Sequence, residues 1–130
     1  MSFSLELAKR ITALRHEDLP PDAVRWAKVG ILDTVGVTLA GSSDLSAQIV
    51  ARSLAAASGP ALVFGSDQRV GALDAALING TASHALDFDD CNNTLGGHPS
   101  APILSALFAL AGQNGASGSE FIAAYVAGFE

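Results

Sequence analysis

The stretch Ala72-Leu73-Asp74-Ala75-Ala76-Leu77-Ile78-Asn79-Gly80-Thr81-Ala82-Ser83-His84-Ala85 decides the fold. It holds no proline and runs long enough for several helical turns. Its small side chains at Ala75, Ala76, Ala82 and Ala85 predict a helix lying against its neighbours at short distance. That helix carries His84, and just beyond it Asp87, towards its C-terminal end. A helix C-terminus disfavours carboxylates, so Asp87 is either solvated or held by something positive.

The flanking sequence reads as further helices. Downstream, Pro102 suits the first turn of a helix that would bury Ile103, Leu104, Leu107, Phe108 and Leu110. A polar loop follows over 112–118, and Ser117 with Glu120 makes a capping-box pattern for a last helix over 121–129. Upstream, Ser4 can cap a first amphipathic helix running to about Leu14, with Leu7, Ile11 and Leu14 on one stripe. Pro21 opens a second helix with Val24, Ala27, Ile31, Leu32 and Val35 at helical spacing and Gly41 as its stop. Gly30 and Gly36 each weaken it by roughly 1 kcal/mol, for which close helix approach would compensate. Ser43 or Asp44 opens a third helix with Leu45, Ile49, Val50 and Leu54 inward, ending near Gly59-Pro60. Only 61–70 differs: Leu62-Val63-Phe64 before Gly65-Ser66-Asp67 predicts a short strand and turn, paired at most with Arg69-Val70. The expected class is all-α, with a short extended segment near 62–70.

Composition bounds the function. The 130 residues are 49% hydrophobic and only 15% charged, enough for one domain burying roughly two-thirds of its unfolded surface and short of charge for a lone one. The low charge with many Ala and Gly predicts an uncovered partner surface and self-association. All seven Lys and Arg lie in residues 1–69, balanced by seven acids there, so the net charge of −6 comes from 70–130. Nucleic acid is an unsuitable partner, since clustered cations are missing. No apolar run reaches the roughly 18 residues that span a bilayer, and Glu6 stands where a signal peptide needs positive charge, so no membrane role and a cytoplasmic location are expected. The single cysteine, Cys91, fits a reducing compartment.

The chemistry-bearing residues concentrate over 84–102, which holds His84, Asp87, Asp89, Asp90, Cys91, Thr94, Gly96-Gly97 and His98-Pro99-Ser100. The three carboxylates read as a general base with supporting acids, as a divalent-cation site, or as solvated helix-end residues. His84, among apolar neighbours, reads as a hydrogen-bonded core residue or one supporting the site from behind. His98, pinned between Gly97 and Pro99, suits an active-site role as well as a structural one. Cys91 is no nucleophile, because adjacent carboxylates raise rather than lower a thiol pKa. Cys91 and His98 lack the further ligands of a zinc site, Gly96-Gly97 lacks the lysine of a phosphate loop, and no Gly-x-Ser-x-Gly elbow occurs.

The segments Asp33-Thr34-Val35-Gly36-Val37, Leu39-Ala40-Gly41, 75–82, the Asp87-Phe88-Asp89-Asp90 run, His98-Pro99-Ser100 and 125–130 together resemble the MmgE/PrpD family. That group includes 2-methylcitrate dehydratase, cis-aconitate decarboxylase and iminodisuccinate epimerase. The resemblance implies the N-terminal portion of a large all-α domain over 1–130, homodimers, and an α/β lid domain later in longer members and absent here. It implies a lyase acting on a small di- or tricarboxylate, 2-methylcitrate dehydratase-like, with neither metal nor organic cofactor. An epimerase of the same family and a non-catalytic helical fragment are the alternatives. Asp87 and His98 match catalytic positions of decarboxylase-like members. Cys91 stands where those members have Thr, and the Asp87-to-His98 spacing is one residue longer than theirs. Cys91 and Thr94 are therefore the expected substrate contacts, with Thr94 supplying the hydroxyl. The weakest reading is a metal module built from Asp87, Asp89, Asp90 and His98.

Overall fold

The computed structural model describes residues 2–54 and 58–130. Its elements are α1 (Phe3–Ala13), α2 (Pro21–Gly41), α3 (Leu45–Ser53), β1 (Ser58–Leu62), β2 (Arg69–Val70), α4 (Ala72–His84), α5 (Ser100–Asn114) and α6 (Gly118–Phe129), with one 3-10 turn at His16–Asp18. The architecture is mostly α, and β1 and β2 form one small antiparallel hairpin. No helix among the described residues is long and apolar enough to cross a membrane.

The start and stop chemistry explains most boundaries. Pro21 occupies the first turn of α2, where its missing N–H costs nothing. Asp44 caps α3 by accepting from the Ser46 N–H at 2.8 Å. Ser117 and Glu120 form the expected capping box on α6. Other boundaries differ from expectation: α6 opens at Gly118 rather than at 121, and β1 ends at Leu62 instead of running on through Val63 and Phe64. Ser2 rather than Ser4 caps α1. Helix α5 runs on to Asn114 and ends where Gly115 adopts a left-handed conformation, so the loop is shorter than 112–118. Helix α3 stops at Ser53, its expected continuation over 55–57 lies outside the described residues, and Gly59-Pro60 belongs to β1.

Helix α4 is the centre of the molecule. It packs most extensively against α5, then against α2 and α3. Gly41 of α2 meets the Ala82 carbonyl so closely that a Cβ there would collide with backbone, which is why the two helices tolerate no larger residue at the crossing. Gly30 accommodates the Tyr125 hydroxyl of α6 in the same manner, whereas Gly36 faces open space. The buried positions of α2 are Ala27, Thr34, Thr38 and Gly41, while Leu32 is exposed. Leu45, Ile49 and Leu110, also expected inside, are exposed.

Two apolar clusters flank α4 and α5. Ala61, Val63, Val70, Ala75, Ile78 and Ala109 seal the hairpin onto the helices. Ala27, Leu104 and Tyr125 form the other, with Ile31, Leu107, Phe108 and Phe121 packed around them. The buried Asn79 amide fastens the hairpin to α4, donating to the Leu62 carbonyl at 2.9 Å and accepting the Phe64 N–H at 2.9 Å. These contacts leave α4 and α5 rigidly apposed, with the 85–99 connection looped over one end of the pair.

Candidate functional site

The 85–99 loop is held at both ends by its own polar residues. Asn92 closes a turn: its side-chain oxygen accepts the N–H groups of Thr94 and Leu95, and its backbone pairs with Gly97. Gly96 supplies the positive φ of that turn. Asp90 caps the start of α5, accepting the Ser100 N–H at 3.0 Å and the Ser100 hydroxyl at 2.6 Å. The Ser100 proton is thus committed to the carboxylate, so the buried Tyr125 hydroxyl must donate to Ser100 Oγ, at 2.5 Å. Burial pushes the Tyr125 phenol up from its ordinary value, so it stays a proton donor there.

With Asp90 drawn towards α5, its neighbour Asp89 sits beneath two imidazoles. The Asp89 side chain is fully buried. His84 Nδ1–H donates to both of its oxygens, at 2.9 and 3.1 Å. His98 Nδ1 lies 3.3 Å from Asp89 Oδ1 but off the line a hydrogen bond requires, and it has no hydrogen-bond partner among the described residues. The rings of His84 and His98 meet edge to face with centroids 4.7 Å apart. Asp87 completes the group from outside, its Oδ1 3.6 Å from His98 Nε2. Its backbone is left-handed at φ 54, a conformation Asp tolerates better than most residues. One donor atom from each of His84, Asp87, Asp89 and His98 lies within 4.8 Å of the others, a spacing that one metal ion could also bridge.

The hydrogen bond to Asp89, reinforced by its charge, holds the His84 imidazole above its ordinary pKa of 6.5, with a smaller contribution from Asp87. A cation at this end of α4 also complements the negative end of the helix dipole. The part of stability that comes from charged His84 is therefore present below the ordinary value and fades as pH rises through the raised one.

Both imidazoles line an open cleft of about 790 Å³ between α4 and α5, floored by small residues such as Ala76, Gly80 and Ala101. The small-residue pattern that lets the helices approach also leaves room for a small ligand. Of the expected site residues, the structure brings Asp87 and His98 together. Cys91 is exposed, with its sulfur 4.0 Å from Asn93 Oδ1, and Thr94 lies in the exposed Asn92 turn, so neither joins the four-residue group. Asp90 turns to α5 instead. Of the three carboxylates only Asp87 is the solvated helix-end residue expected on composition. His84, read as a hydrogen-bonded core residue or one supporting the site from behind, is hydrogen-bonded as expected, but its half-exposed ring lies on the cleft and not in the core. Its pairing with Asp89, five residues on, was the signal available in the sequence.

The MmgE/PrpD N-terminal domain matches residues 5–130 of the chain. The chain is also 31% identical, over an alignment of 138 residues, to the cis-aconitate decarboxylase-like protein oryM of Aspergillus oryzae (strain ATCC 42149 / RIB 40). That alignment covers 99% of this chain and 29% of the relative, so the chain spans under a third of the length of the curated protein it matches.

Proposed function

Because the chain belongs to the MmgE/PrpD family, we propose that Asp87 and His98, beside the buried Asp89 that His84 holds, form the proton-transfer part of a lyase site for a small di- or tricarboxylate. The observation that carries this reading is the fully buried Asp89 carboxylate beneath two imidazoles that line a cleft. The buried carboxylate fixes the His84 ring through its hydrogen bonds, and His98 packs edge to face on that ring with no hydrogen bond tying it up among the described residues, which leaves it free to serve as a general acid or base. His98 is the group that moves the proton, at its Nε2, and Asp87 beside that atom orients the ring or takes the proton in turn.

Dehydration of a 2-methylcitrate-like hydroxy acid needs a proton removed from a carbon next to a carboxylate and one delivered to the leaving hydroxyl. The likeness to a decarboxylase-like protein favours a second reading at the same residues: carbon dioxide leaves, and the carbon left behind takes a proton. Either way a substrate carboxylate must enter beside Asp87 and Asp89. Repulsion at such short range in a partly desolvated site costs several kcal/mol unless positive charge answers it. Residues 70–130 hold no Lys or Arg, so within this region the imidazoles must provide that charge.

Incubating the protein with 2-methylcitrate, cis-aconitate and related acids, with mass spectrometry of the products, tests the reading. Loss of water or of carbon dioxide is the expected result, undiminished by a chelator. An unchanged mass with an inverted centre would assign the epimerase alternative. No reaction with any of these acids would leave the non-catalytic fragment.

A further inference from the structure

His84 is the group in this cleft that the proton-transfer scheme leaves without a task. The cleft's other polar side chains, apart from His98, are Ser46, Thr81 and Ser105. Each hydroxyl proton is already spent: Ser46 donates to Asp44 Oδ1 at 2.6 Å, Thr81 to the Leu77 carbonyl at 2.8 Å, and Ser105 to the Ala101 carbonyl at 2.6 Å. These oxygens can accept from a ligand but have no proton to give it, and a carboxylate needs donors. His84 spends Nδ1 on Asp89, so the ring nitrogen left for a ligand is Nε2. The ring is half exposed and lines the cleft. Across the cleft lie Ala101 and Pro102 of the first turn of α5, whose helix start is already capped by Asp90 and so adds no donor for the ligand.

We propose that His84, seated on the buried Asp89, binds one substrate carboxylate through Nε2–H in the α4–α5 cleft and so selects free acids over their esters and amides. The proposal rests on the lyase reading and gives the two histidines different work. His84 grips a carboxylate that does not react, and His98 moves the proton. Asp89 is a positioning residue for the His84 ring. Asp87, Asp89 and His98 are the titratable groups facing His84, and the two carboxylates, Asp89 most, favour its charged form.

The test compares wild type with His84→Ala, His84→Gln and His98→Ala. Gln can still donate to Asp89, which guards against leaving that buried carboxylate without a partner. Kinetics on the accepted acid and its monomethyl ester are paired with calorimetry of an inert probe, propane-1,2,3-tricarboxylate. A charge-assisted hydrogen bond is worth about 10- to 100-fold in affinity. Both His84 variants should raise KM and the probe's Kd by about that factor, with kcat changed by less than about 3-fold, and should erase the preference for acid over ester. His98→Ala should lose turnover yet bind the probe within about 3-fold of wild type. Unchanged KM and Kd in both folded His84 variants would overturn the assignment while leaving the lyase reading intact, as would a loss confined to kcat. Wild type that neither binds the probe nor turns over any acid would overturn both.

Discussion

His98→Ala and Asp87→Asn, each made alone, are expected to lower kcat by about 10²-fold or more, the usual scale for a positioned acid or base. The fold should be retained in both. Asp87 is exposed, and Asn tolerates the same left-handed backbone that Asp87 occupies, so this substitution removes charge with little strain. His98→Ala leaves Asp89 with its two hydrogen bonds from His84. The double variant should be hardly slower than the worse single one, because residues that serve one proton transfer fail as a unit. Steady-state kinetics on all three variants, beside far-UV circular dichroism, checks this. Near-parental turnover with an intact fold would make Asp87 ordinary helix-end surface.

Leu104→Ala should be the most damaging single truncation of the interior. Leu104 has no exposed surface and sits with Ala27 and Tyr125 at the contact of α2, α5 and α6. Removing it costs the transfer energy of the lost carbons plus that of the cavity, about 2–5 kcal/mol. For a chain of this size that corresponds to a fall of roughly 8–20 °C in Tm. Leu73→Ala is the control: this leucine lies almost wholly in solvent on α4, and its loss should stay within about 0.5 kcal/mol. Thermal denaturation followed by circular dichroism distinguishes the two. Equal effects would mean that the α5–α6 contact does not carry the stability assigned to it.

Where local chemistry sets a boundary, the sequence was readable. Pro21, Asp44 and the Ser117–Glu120 box each act within a few residues: the first two open helices where expected, and the box caps α6 as expected although the helix begins at Gly118 rather than at 121. Which face of a helix turns inward was less readable, most plainly in α2. That helix carries large apolar residues around much of its circumference, with Trp26, Val29, Leu32 and Leu39 all exposed. Periodicity of large side chains therefore could not choose its inner face. Close packing chose it through small ones, at Ala27, Thr34, Thr38 and Gly41.

The site followed the same division. That 84–102 carries the chemistry is visible in composition alone, since it gathers two imidazoles and three carboxylates into one short stretch. The division of labour among those carboxylates is not. Whether an aspartate faces solvent, a helix start or a histidine depends on the path of the 85–99 loop. That path is fixed by Asn92, Asp90 and the distant Tyr125. The apolar sequence neighbours of His84 spread around the helix and say little about the side on which His84 itself emerges.

The most direct test of the central claim, that this cluster transfers a proton to or from carbon, is solvent-deuterium incorporation. Wild type and His98→Ala would be run in deuterium oxide with the unsaturated acid, from which decarboxylation, or hydration as the reverse of dehydration, must form a carbon–hydrogen bond, and the product examined by mass spectrometry. Wild type is predicted to place a solvent-derived deuteron on the carbon next to a carboxylate, and His98→Ala to do so about 10²-fold more slowly or not at all. Incorporation at an undiminished rate in folded His98→Ala, or turnover of the unsaturated acid by wild type with no deuterium in the product, would contradict the account.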